Sequence, residues 1–142
     1  ETLPLRYKAH QENTEKVANF LSNRNEITNV IYPGFHKNAK DVRRTKKYLE
    51  KGNGPLVGFE LKGGKDAGQQ FIDNLKLIYH VANIGDARTL AIHPASTTHS
   101  QLSKEDQLKT GVTPGYVRLA VGLEHIDDIL EDLTQALDNI EY

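Results

Sequence analysis

Cysteine, methionine and tryptophan are all missing from this chain. Without cysteine there is no disulfide framework, no thiolate metal site and no thiol nucleophile. No apolar run approaches the roughly 18 residues needed for a membrane-spanning helix, and the first residues do not read as a charged-then-apolar signal segment. An excess of charge is lacking too: 18 Lys and Arg stand against 19 Asp and Glu, for a net charge of −1. That balance removes the electrostatic case for a nucleic-acid or anionic-membrane partner, and the cytoplasm is the expected location. Methionine is missing even at position 1. The chain opens on Glu1-Thr2-Leu3-Pro4 and enters a helical pattern almost at once, so it is expected to be a piece of a longer polypeptide. What is present suits one ordinary globular domain: 142 residues, 37% hydrophobic and 26% charged, enough to bury a single core.

The pattern along the chain predicts a helix over Leu5 to Asn23, with His10, Thr14, Val17, Phe20 and Leu21 on one face. Thr28 to Tyr32 is a β-branched run closed by Pro33-Gly34, a strand and a turn. Asn38 and Asp41 form an N-cap pair for a helix over Asp41 to Glu50. Gly52-Asn53-Gly54-Pro55 is a turn. In Leu56 to Leu61 the residues Val57, Phe59 and Leu61 alternate as in a strand, and Gly63-Gly64 ends it. Asp66 is expected to cap a helix running to about Leu77. Ser103 followed by Asp106 reads as a capping box for a short helix ended by Gly111. The last helix is marked by the stripe Ile126, Ile129, Leu130, Leu133, Leu137 and Ile140, with Asp127 and Asp128 complementing the dipole of its first turn. Thr89 to Ile92 and Tyr116 to Val121 supply two further strands. About four strands therefore interleave with four or five helices, an α+β domain with a mainly antiparallel sheet and helices on one face.

Four segments carry candidate chemistry. In Tyr116-Val117-Arg118-Leu119-Ala120-Val121 the period of two sends Val117, Leu119 and Val121 to the core and Arg118 to the opposite face with Tyr116 and Ala120. A guanidinium there can grip a carboxylate through two parallel hydrogen bonds; spacing alone favours a solvated strand arginine. The loop His93 to His99 packs two imidazoles and three hydroxyls into seven residues. It could orient a polar ligand, but its histidine spacing is not that of a zinc site and no metal is expected. Loop and cap hydrogen bonds are the plainer task for Ser96, Thr97 and Thr98. Asn83-Ile84-Gly85-Asp86 reads as a turn. The basic run Arg43-Arg44-Thr45-Lys46-Lys47-Tyr48 reads as a solvated helix face.

Taken together, these segments resemble the C-terminal domain of the Cys/Met-metabolism pyridoxal-phosphate enzymes. The resemblance runs from Leu5-Arg6, His10, Asn13-Thr14 and Val17-Ala18 through Val30-Ile31-Tyr32-Pro33-Gly34 and Gly58-Phe59-Glu60-Leu61. It continues through Ala82-Asn83-Ile84-Gly85-Asp86, His93-Pro94-Ala95-Ser96, Thr98-His99 and Val117-Arg118-Leu119-Ala120-Val121-Gly122-Leu123-Glu124. The stretches Asn83 to Arg88 and His93 to Leu102 look most like the O-acetylhomoserine sulfhydrylase branch. The resemblance implies the small domain of a fold type I enzyme, with pyridoxal phosphate held by a separate N-terminal domain that supplies the Schiff-base lysine. It also implies a homo-oligomer, a tetramer, in the whole enzyme. Thr45 to Tyr48 echoes the family's lysine motif but lies downstream of where that motif belongs, so no cofactor-binding residue is expected in this chain.

By the same resemblance, Arg118 matches the arginine that binds the substrate α-carboxylate. Asn83 matches a position beside the carboxylate and cofactor, occupied by serine in the lyases. Ala82 matches a position that helps select the substrate. Thr98 matches a threonine that braces the arginine. The implied reaction joins O-acetylhomoserine to sulfide or a thiol, giving homocysteine or an analogue and acetate, with this piece orienting the carboxylate and inactive alone. The family alternatives are a cystathionine lyase or synthase, or methionine γ-lyase. Outside the enzyme class stand an amino-acid-sensing module using Arg118 and a self-association domain.

Overall fold

Strands β1 (Ile27–Ile31), β2 (Leu56–Leu61), β3 (Tyr79–His80), β4 (Leu90–Ile92) and β5 (Tyr116–Ala120) join in one sheet of order β1-β2-β5-β4-β3. The computed structural model describes residues 2–101 and 103–142, without the side chains of Lys104, Gln107 and Leu108; Glu1 and Leu102, both quoted above, lie outside the described residues. β1–β2, β2–β5 and β4–β5 are antiparallel, while β3 runs parallel to β4. The pairing of β1 with β2 shifts register between Ile27 and Asn29, a bulge on the outer strand. The sheet thus has one strand more than the alternation indicated. β3 is two residues long and both are exposed, so it generates no period; it is held by Tyr79 N–H donating to Thr89 O and Val81 N–H donating to Ala91 O.

Among the described residues five helices accompany the sheet: α1 (Leu3–Ser22), α2 (Ala39–Tyr48), α3 (Gly64–Asn74), α4 (Lys104–Lys109) and α5 (Ile126–Asp138). Pro4 stands in the first turn of α1, where its missing N–H costs nothing. Of the expected α1 face, His10, Thr14, Val17 and Leu21 are buried, while Phe20 is only half-buried against the core. At α2 the Asn38 side chain accepts from Asp41 N–H at 2.9 Å, so the helix begins two residues before the expected Asp41. α3 corrects a second expectation: Asp66 is not its cap. The chain enters through Gly63 in the left-handed region, φ 84°, and Asp66 lies inside the first turn, where its charge complements the dipole. Ser103 caps α4, accepting from Asp106 N–H at 3.2 Å and donating to Asp106 Oδ2 at 2.7 Å.

The core lies between one face of the sheet and α1, α3 and α5. Val57, Phe59 and Leu61 of β2 and Val117 and Leu119 of β5 meet Val17 and Leu21 of α1, Phe71 and Ile72 of α3, and Ile129, Leu133 and Leu137 of α5. Phe59 and Phe71 pack edge to face, their ring centres 5.4 Å apart. Each such side chain contributes ~1.5–3 kcal/mol by leaving water. α2 buries no residue and stays at the rim. Among the described residues no helix is long and apolar enough to cross a membrane.

Two buried polar side chains fix the connections. α3 was expected to reach Leu77 but stops at Asn74, because the next amides are taken by a carboxylate. Lys76, Leu77 and Ile78 N–H all donate to Asp132 at 2.9 Å, and Gln135 Nε2 donates to it at 2.9 Å. Asp132 sits in α5 and is 5% exposed. His93 is fully buried between the 3-10 turn Pro94–Ser96 and α3. Its Nε2–H donates to Pro114 O at 2.7 Å, which leaves Nδ1 to accept from the Ser96 hydroxyl at 2.8 Å. Burial pushes the imidazole below its ordinary value of 6.5, only partly offset by the bond to Pro114. Gly68 of α3 faces this ring, and a Cβ there would collide with it.

Removing the Asp132 carboxylate leaves three amides without their acceptor, each worth roughly 1–3 kcal/mol when buried. Urea unfolding of Asp132→Ala is expected to show a loss of ~3 kcal/mol or more, and of Asp132→Asn a smaller one. The histidine gives a pH test. Its folded-state pKa lies below its unfolded one, so the unfolded chain binds the extra proton first. Stability is then complete above pH ~6.5 and falls as pH drops below it. Thermal melts at pH 7.5 and pH 5 are expected to differ in that direction, and His93→Asn to flatten the slope.

Candidate carboxylate-binding site

The register of the sheet places Arg118 at the centre of β5, directly between Gly58 of β2 and Ile92 of β4. Its neighbours Val117 and Leu119 are fully buried in the core, so its side chain leaves by the opposite face. Tyr116, two residues earlier on that face, lies across Gly58: a Cβ at Gly58 would stand 2.6 Å from the Tyr116 ring. Burial pushes the Tyr116 phenol up, and the nearby Arg118 charge offsets part of that. Glu60, two residues along β2, accepts from the Thr113 hydroxyl at 3.0 Å.

The guanidinium of Arg118 is half-buried and sparsely engaged. Nη2 donates to Asn83 O at 3.4 Å. Nε is buried without a hydrogen-bond partner, and among the described residues no carboxylate pairs with the cation. An unpaired buried N–H is costly and uncommon. The Nη end, bonded to Asn83 O at 3.4 Å, keeps further N–H donors from which a carboxylate can accept two parallel bonds.

The connection between β3 and β4 forms one wall of the site. Asn83 is exposed; its backbone carbonyl meets Arg118, while its own Oδ1 turns back to accept from Ile84 N–H at 2.9 Å. Ala82 is its exposed neighbour. The turn is stiffened by Asp86, which accepts from Arg88 N–H at 3.0 Å and pairs with its guanidinium at 3.3 Å. The Arg88 amide, and then its guanidinium, hold the Asp86 carboxyl below the usual carboxylate range. Arg88 in turn stacks on Tyr79, 4.5 Å from the ring centre.

The structure therefore brings Arg118 and Asn83 together, with Ala82 beside them. Thr98 is exposed, and its hydroxyl shares a 2.9 Å hydrogen bond with His99 Nδ1 rather than with the guanidinium. In the His93–His99 loop, Thr97 donates to His93 O at 2.9 Å and Ser100 donates to Thr97 O at 2.8 Å, the local bonding typical of such residues. No group of three or more His, Asp or Glu suited to a metal occurs among the described residues. Lys46 and Lys47 are exposed on α2, which follows the β1 edge, two strands away from β5. Sequence reading missed Thr89 and Glu124, which hydrogen-bond to one another behind the Asn83 turn; nothing local links residues 35 apart in the chain.

Comparison with known proteins places these features in context. The model of the Cys/Met metabolism PLP-dependent enzyme family matches residues 1–138. An O-acetyl-L-homoserine sulfhydrylase of Leptospira meyeri is 56% identical over 141 residues, covering 99% of this chain and 32% of the relative. O-acetyl-L-homoserine sulfhydrylase 1 of Thermus thermophilus is 51% identical over 138 residues, covering 96% of this chain and 32% of the relative. The chain thus spans about a third of the length of these curated relatives. Among solved structures, an O-acetylhomoserine (thiol)-lyase of Campylobacter jejuni carrying N'-pyridoxyl-lysine-5'-monophosphate superposes with a TM-score of 0.88 at 43% identity, covering 97% of this chain and 32% of that one. The chain belongs to the family of Cys/Met metabolism PLP-dependent enzymes.

Proposed function

We propose that this chain is the C-terminal, carboxylate-binding domain of a sulfhydrylase that converts O-acetylhomoserine and sulfide, or a thiol, to homocysteine, or its analogue, and acetate. The observation that carries the reading is the Arg118 guanidinium on the face away from the core, bonded at Nη2 to Asn83 O and paired with no carboxylate among the described residues. The choice among family chemistries is supported by the identity of 56% and 51% to two O-acetyl-L-homoserine sulfhydrylases.

The residues described around Arg118 fit a substrate carboxylate. Pyridoxal phosphate, the family's cofactor, would be held by the rest of the polypeptide and supply the electron sink for the carbanion chemistry. The work of this chain is positional. Arg118 takes both carboxylate oxygens, and the Asn83 carbonyl steadies the plane of the guanidinium. Holding the carboxylate fixes the bonds at Cα, an effect of orientation. Ala82, small and exposed, leaves room for the ester side chain; Thr98, whose hydroxyl meets His99 here, would brace the arginine only on turning toward it in the assembled site. The remaining domain, in a homo-oligomeric enzyme, would cover the exposed Leu3, Leu5, Val81 and Ile84, on two segments that Arg6 joins at Gly85 O.

In the full-length enzyme Arg118→Ala is expected to lower kcat/KM for O-acetylhomoserine ~10–100-fold, mainly through KM, because a charge-assisted bond is worth ~1.5–3 kcal/mol. Arg118→Lys, which keeps the charge and loses the fork, is expected to fall between. An unchanged kcat/KM in Arg118→Ala sinks the assignment. Preferred turnover of cystathionine or methionine by the intact protein would point to a lyase instead. The 142-residue chain alone is expected to show no visible cofactor band when mixed with pyridoxal phosphate, and a stoichiometric borohydride-trapped lysine adduct would overturn that.

A further inference from the structure

Behind the carboxylate site, the segments flanking it are tied together by a small closed set of polar bonds. β5 runs out into Val121–Glu124, and the Asn83 turn runs into Thr89 at the start of β4. Thr89 N–H donates to Glu124 Oε1 at 2.6 Å and the Thr89 hydroxyl donates to Glu124 Oε2 at 2.7 Å. The same hydroxyl accepts from Gly122 N–H at 2.9 Å, and Leu123 N–H donates to Ala87 O at 2.7 Å. Thr89 is fully buried. Gly122 is so close that a Cβ would collide with the Arg88 carbonyl carbon, the Thr89 nitrogen and the Glu124 carboxylate.

The other side of this knot is gripped by α1. Arg6, His10 and Asn13, spaced by four and three residues, share one stripe of the helix. Arg6 Nη1 donates to Gly85 O at 3.2 Å. His10 Nδ1–H donates to Val121 O at 2.6 Å. Asn13 Nδ2 donates to Gly122 O at 3.1 Å and to Glu124 O at 3.0 Å. Three side chains thus read carbonyls on both segments that frame Arg118. The Asn83 turn is tied at Val81, whose N–H donates to Ala91 O, at Gly85 by Arg6 and at Ala87 by Leu123 N–H. Its anchor at Thr89 depends on the Glu124 carboxylate.

We propose that Glu124 is a positioning residue for the carboxylate site: through Thr89 it holds the turn whose Asn83 carbonyl sets the orientation of Arg118. It touches neither substrate nor cofactor. This inference rests on the reading of Arg118 given above. Groups that orient metal ligands from behind change affinity ~10–100-fold when removed, and an effect of the same order is expected here. A role in general stability would instead lower the melting temperature and the amount of active enzyme while leaving KM where it was.

The test uses the full-length enzyme loaded with pyridoxal phosphate and assayed with O-acetylhomoserine and sulfide. Glu124→Ala and Thr89→Val are each expected to raise KM ~10–100-fold with kcat changed less than about threefold and the cofactor absorbance unaltered. Thr89→Ser, which keeps the hydroxyl, is expected to restore the wild-type KM. In an Arg118→Ala background, Glu124→Ala is expected to add less than about a twofold rise, because the effect passes through the arginine. Should Glu124→Ala fail to fold, Thr89→Val and Glu124→Gln carry the same comparison. An unchanged KM in the Glu124 and Thr89 variants, alongside a raised KM in Arg118→Ala, overturns the positioning role alone. So does a Glu124→Ala effect that persists in full without Arg118. An Arg118→Ala enzyme with wild-type KM overturns the carboxylate reading and this inference with it.

Discussion

The position of the central strand β5, fixed between β2 and β4, is the constraint on which the site depends. Val117 and Leu119 are fully buried against the helices. Because side chains alternate with a period of two, that burial determines that Arg118 emerges on the other face. A slip of one residue would put a guanidinium in the core and two aliphatic side chains outside, at a cost no local rearrangement recovers. Gly58 and Ile92 as register partners then set how much room the arginine has. The cationic group is placed by hydrophobic packing on the far side of the sheet.

Polar side chains complete what the strands begin. Asp132 takes three successive amides after α3 and turns the chain toward β3. His93 joins the Pro94–Ser96 turn to the segment before β5. Arg6, His10 and Asn13 of α1 hold carbonyls that would otherwise face an apolar helix surface or water. In each case a side chain satisfies backbone groups where the chain leaves regular structure, which is where buried amides and carbonyls most need partners. The connections around Arg118 are tied by such bonds, although they are loops by geometry.

Much of this was legible in the sequence, for reasons that can be named. The stripe on α5 and the alternation on β2 and β5 are patterns of burial, and burial is what a periodic sequence encodes. The caps Asn38 and Ser103 were readable because a cap acts within three residues. Arg118 was readable as outward-facing; a solvated arginine and a ligand-binding one have the same spacing, and the role proposed for it comes from the family resemblance. Asp132 was hidden because an acid in a helix ordinarily faces water, and the amides it serves lie more than fifty residues away in the chain. β3 was hidden by its length, and the Thr89–Glu124 pair by the separation of its members.

The outer strand β1 has a further consequence. Ile27–Ile31 carries no charged side chain and stands at the margin of the sheet, the composition that ordinarily invites another strand to add on. The register shift between Ile27 and Asn29 breaks the regular spacing of its free amides and carbonyls and twists the edge away from straight pairing. Protection against strand addition at this edge is therefore supplied by backbone geometry in place of electrostatic repulsion.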